Sequence, residues 1–250
     1  LQENVQNRGN FFSINLDKPP FDDPRVREAM HLAVSRSDIV TAGHNGFAVE
    51  TAHPFNETSF WYFDDLEVRT EADLDRAREL LQEAGAEGAS VTITQWDQLG
   101  SDAEAQIVAS AWNDIGLDAT IEKVGGADLI AQSETDDWDV IYLWIGLITD
   151  PDRAYNFLFE SDATRNGISG GMQSEEMDDV LRRATQATDP EERKALYREA
   201  MQINNDMFAM FYTVRPFGFV GVSNDVTGFE MGVYYVQYEG GGMTSACVPA

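Results

Sequence analysis

Hydrophobic and polar positions alternate first with the period of a strand and then with that of a helix. Asn10-Phe11-Phe12-Ser13-Ile14-Asn15 is short, apolar and β-leaning, and it runs into Lys18-Pro19-Pro20-Phe21. Two successive prolines fix φ and remove two backbone donors, so a rigid connector is expected there. Asp23 then stands at a helix N-cap with Pro24 at the first helical position, and Val26, Ala29, Met30 and Ala33 form one apolar stripe. Ser37 and Asp38 predict a second short helix ending near Gly43. Residues 44–69 hold no period but contain Pro54, Trp61, Tyr62 and Phe63, a long loop whose aromatics suit packing. Thr70-Glu71-Ala72-Asp73 reads as a capping box before Leu74, Ala77, Leu80 and Leu81, and Gly85 stops that helix.

The rhythm then becomes regular. Val91–Thr94 predicts a strand, Asp102–Ile115 a helix with Ile107, Val108, Ala111 and Trp112 on one side, and Leu117–Val124 a second strand. A short helix around Asp128–Gln132 leads to a third, strongly apolar strand, Val140–Ile145. This alternation predicts an α/β fold, helices covering a mainly parallel sheet. Two helices follow, Ser174 to about Ala187 and one opening at Asp189-Pro190-Glu191-Glu192, with a cap, a first-position proline and first-turn acids. Beyond Asp206 the period becomes two, predicting strands at Phe208–Val214, Phe217–Val222 and Val233–Tyr238. No internal repeat is visible, and Gly240-Gly241-Gly242 is the one low-complexity run.

Charge changes the picture most. The 250 residues carry 44 acidic and 17 basic side chains, a net charge of −27. Such a surface repels phosphate backbones and anionic head groups, which excludes nucleic acid as a partner. The acids are spread along the whole chain, so they describe a surface and not a site. Self-repulsion of this size favours a salt-rich setting; an ordinary acidic extracellular protein is the alternative. No stretch approaches the roughly 20 apolar residues that cross a bilayer. Cys247 is the single cysteine, so neither an intrachain disulfide nor a cysteine metal cluster is expected. The chain opens at Leu1 with no initiator methionine and no apolar leader, as expected if processing or truncation removed the beginning.

Candidate chemistry is sparse. His31, His44 and His53 lack metal-ligand spacing, and no GxSxG, Walker or GxGxxG pattern occurs. No metal, cofactor or catalytic residue is expected. The segment that stands out follows the third strand: Trp144-Ile145-Gly146-Leu147-Ile148-Thr149-Asp150-Pro151-Asp152, continuing to Tyr155. Open α/β sheets bind ligands beyond the carboxyl ends of their strands, and aromatics beside polar groups suit a pocket. An anchored loop with Asp150-Pro151 opening the next helix accounts for the same residues. A sugar hydrolase using Asp150 and Asp97 is a second reading, without a spacing signal.

Several blocks together resemble the peptide/nickel class (family 5) of periplasmic binding proteins that serve ABC importers. They are Lys18-Pro19-Pro20-Phe21-Asp22-Asp23-Pro24-Arg25-Val26-Arg27-Glu28-Ala29, then Asp75 to Gly85, Ile115-Gly116-Leu117, the Trp144–Asp152 loop, and Thr188 to Ala200. The resemblance runs from about Asn10 to about Phe229 and covers the second half of the family's usual length. It implies a periplasmic-binding-protein-like lobe over residues 19–206. Residues 1–18 would be an inter-lobe strand and connector, and 207–250 strands returning toward a second, largely absent lobe. It further implies capture of a small solute in an inter-lobe cleft, delivery to ABC permease subunits, no bond chemistry, and a monomer that is extracellular or periplasmic and surface-tethered in its full-length parent. Trp144 matches a pocket tryptophan of the family. Leu147 stands where peptide binders carry the aspartate that anchors a peptide's amino terminus. A leucine cannot neutralise a buried ammonium, which counts against a peptide; the expected solute is oligopeptide-like or a sugar, and a sugar or other neutral solute suits the aromatic walls better. Asp150, Trp96 and Tyr155 complete the expected ligand-binding set; a fragment with a degenerate, non-binding pocket is the remaining alternative.

Overall fold

A computed structural model describes residues 2–5, 8–97, 102–135, 137–146, 150–163 and 166–229. In chain order the strands are β1 (Gln2–Val5), β2 (Arg8–Ile14), β3 (Ala48–Glu50), β4 (Ser90–Trp96), β5 (Asp118–Val124), β6 (Val140–Gly146), β7 (Met210–Tyr212) and β8 (Val214–Val220). The helices are α1 (Pro24–Leu32), α2 (Arg36–Asp38), α3 (Leu74–Ala84), α4 (Asp102–Asp114), α5 (Gly126–Ser133), α6 (Asp152–Phe159), α7 (Glu175–Gln186) and α8 (Pro190–Met207). The caps are residue types that favour the position, although α3 is capped by Asp73 itself and not by Thr70 as a capping box would have it. Asp23, Asp73, Ser174 and Asp189 each accept a backbone N–H of their helix, and Gly85 ends α3 in the left-handed region at φ 68°. The second helix is capped by Ser35, two residues earlier than Ser37 implies, and continues as a π turn over Ile39–Gly43.

The large sheet has the order β5-β4-β6-β2-β7. β4 pairs in parallel with both β5 and β6, whereas β2 runs antiparallel to β6 and to β7. Four of its strands therefore share one direction and β2 alone opposes them. One face packs on α1, α3 and α4 through Phe12, Met30, Leu80, Ile93, Trp112 and Tyr142; the other packs on α6, α7 and α8. The loop expected to pack through its aromatics does so: Phe55 and Phe63 are buried in the second core and Trp61 packs at its edge. His53 is buried there, and desolvation, aided by the nearby Arg215 charge, lowers its pKa to about 4.

A small antiparallel sheet, β1-β8-β3, stands beside the large one. The stretch after Asp206 thus divides: β7 completes the large sheet, and β8 is the middle of the small one. β1 and β3 escape a period-based reading, being only four and three residues long. The strand expected at Val233–Tyr238, the glycine run and Cys247 lie outside the described residues.

The free side of β7 is occupied. Asn204 donates from Nδ2 to the Met210 carbonyl (2.9 Å) and accepts the Met210 N–H (3.0 Å), while Arg36 Nε donates to the Tyr212 carbonyl (2.9 Å). Among the described residues no helix is long and apolar enough to cross a membrane.

Candidate functional site

The chain passes between the two sheets four times, from β1 to β2, from β2 to β3, from β3 to β4 and, at Thr213, from β7 to β8. The Thr213 N–H donates to the Asn10 carbonyl at 3.0 Å, so the β7–β8 junction lies against β2. The carboxyl ends of β4 and β6 open at the same end of the large sheet, because antiparallel β2 begins where β6 finishes.

Trp144 stands at that end, partly exposed and directly opposite Asn10 in the β2–β6 ladder. Arg8 pairs with Gly146, which has no side chain to fill the position above it. The Arg8 guanidinium therefore reaches the diagonal neighbour and lies over the Trp144 ring, 5.1 Å from its centroid. Trp96 ends β4 one residue after Gln95, which pairs with Tyr142, so by alternation it sits on the face opposite Trp144. Its ring packs toward Gly126 at the start of α5, where an added Cβ would come 3.0 Å from the indole nitrogen.

Behind Arg8 and Trp144 lies a buried polar cluster centred on Glu104, fully shielded in the first turn of α4. Its Oε2 accepts from Asn10 Nδ2 (2.8 Å) and the Tyr142 hydroxyl (2.7 Å) and lies 3.0 Å from His44 Nε2, and Thr213 Oγ1 bonds to its Oε1. Burial pushes this carboxyl up, but the bonds from His44, Thr213 and Asn10 outweigh it and hold the pKa below the ordinary value. The cluster fastens β2, through Asn10, and the β7–β8 junction, through Thr213, to one helix.

The other expected site residues fall elsewhere. Asp150 is bound at both oxygens by Arg193, at 2.7 and 2.8 Å, and caps the Asp152 N–H at 3.0 Å. The Arg193 bond holds its carboxyl below the usual range, and Arg193 itself lies over the rings of Trp61 and Tyr197. Tyr155 is wholly buried in the second core against Phe55, Phe159 and Tyr197, and burial pushes its hydroxyl pKa well up. Leu147 lies outside the described residues. Of the expected set, Trp96 and Trp144 share one end of the sheet; Asp150 and Tyr155 belong to the α6–α8 side.

A retaining or inverting sugar hydrolase needs one carboxyl with a raised pKa. Asp150 shows the reverse, and Asp97 is exposed. Among the described residues no three His, Cys, Asp or Glu side chains gather as a metal site. Sequence reasoning passed over Arg8 and Glu104. Glu104 left a readable signal, an acid one helical turn before Val108 in the apolar stripe of α4.

Residues 2–167 match the model for bacterial extracellular solute-binding proteins, family 5 (middle portion). The chain is 25% identical over 226 residues to heme-binding protein A of Haemophilus influenzae, and 25% identical over 228 residues to the dipeptide-binding protein of Escherichia coli. Each alignment takes in 88% of this chain but only 41% and 42% of the relatives, so the chain spans less than half of their length. Among solved structures it is similar to an ABC transporter-associated periplasmic binding protein from Helicobacter pylori in complex with the peptide STSA. The TM-score is 0.81 at 26% identity, over 94% of this chain and 47% of the other.

Proposed function

Because the chain belongs to family 5 of the bacterial extracellular solute-binding proteins, we propose that it captures a short peptide for an ABC importer and performs no bond chemistry. The observation that carries this reading is the likeness, over 94% of the chain, to a relative solved with a peptide bound. It favours the peptide over the sugar, which had rested on Leu147 and on the aromatic walls. An ammonium unpaired at that position can be met by another acceptor, whereas the relatives named for what they bind are peptide and heme binders.

In this reading the five-stranded sheet and its helices form one lobe, and the small sheet belongs to the other. The solute lies at the Arg8–Trp144 end, and the lobes close by bending at the β7–β8 junction near Thr213. The partners are permease subunits, and the place of action is extracellular or periplasmic, on a surface-tethered monomer.

Isothermal titration of the full gene product with di- to tetrapeptides tests this. Peptide binding is expected, weakened about tenfold or more by Trp144→Ala through loss of an aromatic wall. Peptides recovered as free amino acids would turn the reading to a hydrolase. An unchanged affinity in the variant would remove Trp144 from the pocket.

A further inference from the structure

We propose that Arg8 receives a carboxylate of the bound solute, so that the site selects peptides carrying a free carboxylate beside Trp144. This rests on the peptide-capture reading above and assigns its charge preference.

Acids outnumber bases 44 to 17, and among the described residues most basic side chains hold a carboxylate. Lys18, Arg25, Lys123, Arg193 and Arg198 each hold one at 2.6–2.9 Å. Arginines that lack one bond to backbone carbonyls instead: Arg27 to Phe21 (2.7 Å), Arg36 to Tyr212 (2.9 Å), Arg215 to Phe55. Arg69 has neither and lies exposed in solvent. Arg8 differs from all of these. Among the described residues it has no ion pair and no hydrogen bond, yet its Nε is shielded from solvent with no acceptor.

A buried donor left unmade is unfavourable, and one on a charged group more so. A guanidinium offers Nε and one Nη as two parallel donors, which match the two oxygens of a carboxylate. Trp144 holds the plane of that fork from one side, at 5.1 Å, and Gly146 leaves the position opposite Arg8 without a side chain. The group is thus oriented before any ligand arrives, which lowers the cost of ordering it on binding. Its place at the carboxyl-end edge of the sheet, beside the aromatic wall, is where a solute would present such a group.

The carboxylate has two possible sources, a peptide C-terminus and an acidic side chain. Titrating the full gene product with Ala-Ala-Ala, Ala-Ala-Ala-amide and Ala-Glu-Ala-amide separates them. Wild type is expected to bind at least one of the acids about tenfold or more tightly than Ala-Ala-Ala-amide, the scale of one charge-assisted bond. Preference for Ala-Ala-Ala assigns Arg8 to the C-terminus, and preference for Ala-Glu-Ala-amide assigns it to a side chain. Arg8→Gln should collapse the difference between acid and amide, with Arg8→Lys retaining part of it. Circular dichroism and melting of both variants keep a folding defect distinct from a binding one. Equal affinity for all three peptides overturns the assignment and leaves peptide capture standing, as does a preference that survives in Arg8→Gln. Absence of binding by all three overturns both.

Discussion

Replacing Glu104 tests whether its carboxylate organises the apolar face on which it sits. In Glu104→Ala, Asn10 Nδ2 and the Tyr142 hydroxyl lose an acceptor at 2.8 and 2.7 Å inside a core that excludes water. Thr213 loses less, because its hydroxyl can still donate to the Asn10 carbonyl at 3.2 Å. Two stranded donors at about 1–3 kcal/mol each, with a small cavity beside them, give an expected loss of roughly 3–5 kcal/mol. Glu104→Gln keeps one oxygen for those donors and turns its amide toward Thr213, whose oxygen can accept. It loses only charge assistance, about 1 kcal/mol. Urea unfolding at fixed salt reads both, followed by the fluorescence of Trp112, which is buried with its indole N–H bonded to the Met30 carbonyl at 2.9 Å. The sign of the pH dependence follows from the carboxyl's lowered pKa. Its contribution is present above the unfolded-state value and is lost as pH falls through the folded one. Glu104→Gln should therefore flatten the acid limb. An alanine variant costing under about 1 kcal/mol, or a glutamine variant as damaging as alanine, would refute the reasoning.

Three further outcomes are expected. Asp150→Asn should cost about 1 kcal/mol or less, since the Arg193 pair is half exposed, and should leave peptide affinity unchanged; abolished binding in a folded variant would return Asp150 to the pocket. His53, with a folded-state pKa of about 4, stays neutral while the unfolded chain takes a proton near 6.5. Stability should therefore decline from pH 6.5 toward 4, by up to about 3 kcal/mol from this group, and His53→Gln should remove that part of the slope in a pH series of urea melts. With a net charge of −27, the melting temperature should rise between about 0.05 and 1 M salt; a flat series would end the salt-rich reading.

Much of the large sheet was legible because burial there writes itself into period and caps. Val140–Gly146 is apolar throughout, as a strand covered on both faces must be, and Asp23 and Asp189 cap where their residue types suggest. The small sheet was not, since β1 and β3 gain their definition from β8, which is far away in the chain. At the site, Trp144 could be read from its place after an apolar strand. Arg8 could not, because its role depends on the glycine opposite it, 138 positions away in sequence, and register is a tertiary fact. Tyr155 misled for the converse reason. An aromatic after a strand end suits a pocket wall or a core alike, and only packing decides between them.

The side chains along β7 bear on self-association. A sheet edge with bare N–H and C=O groups templates the addition of foreign strands, the usual first step toward aggregates and swapped dimers. A strand approaching β7 must first break three bonds made by Arg36 and Asn204, at 2.9–3.0 Å, and strand a guanidinium in doing so. The other border, β5, carries Asp118, Glu122 and Lys123, whose charges resist pairing. Among the described residues both borders of the large sheet thus resist the addition of a foreign strand.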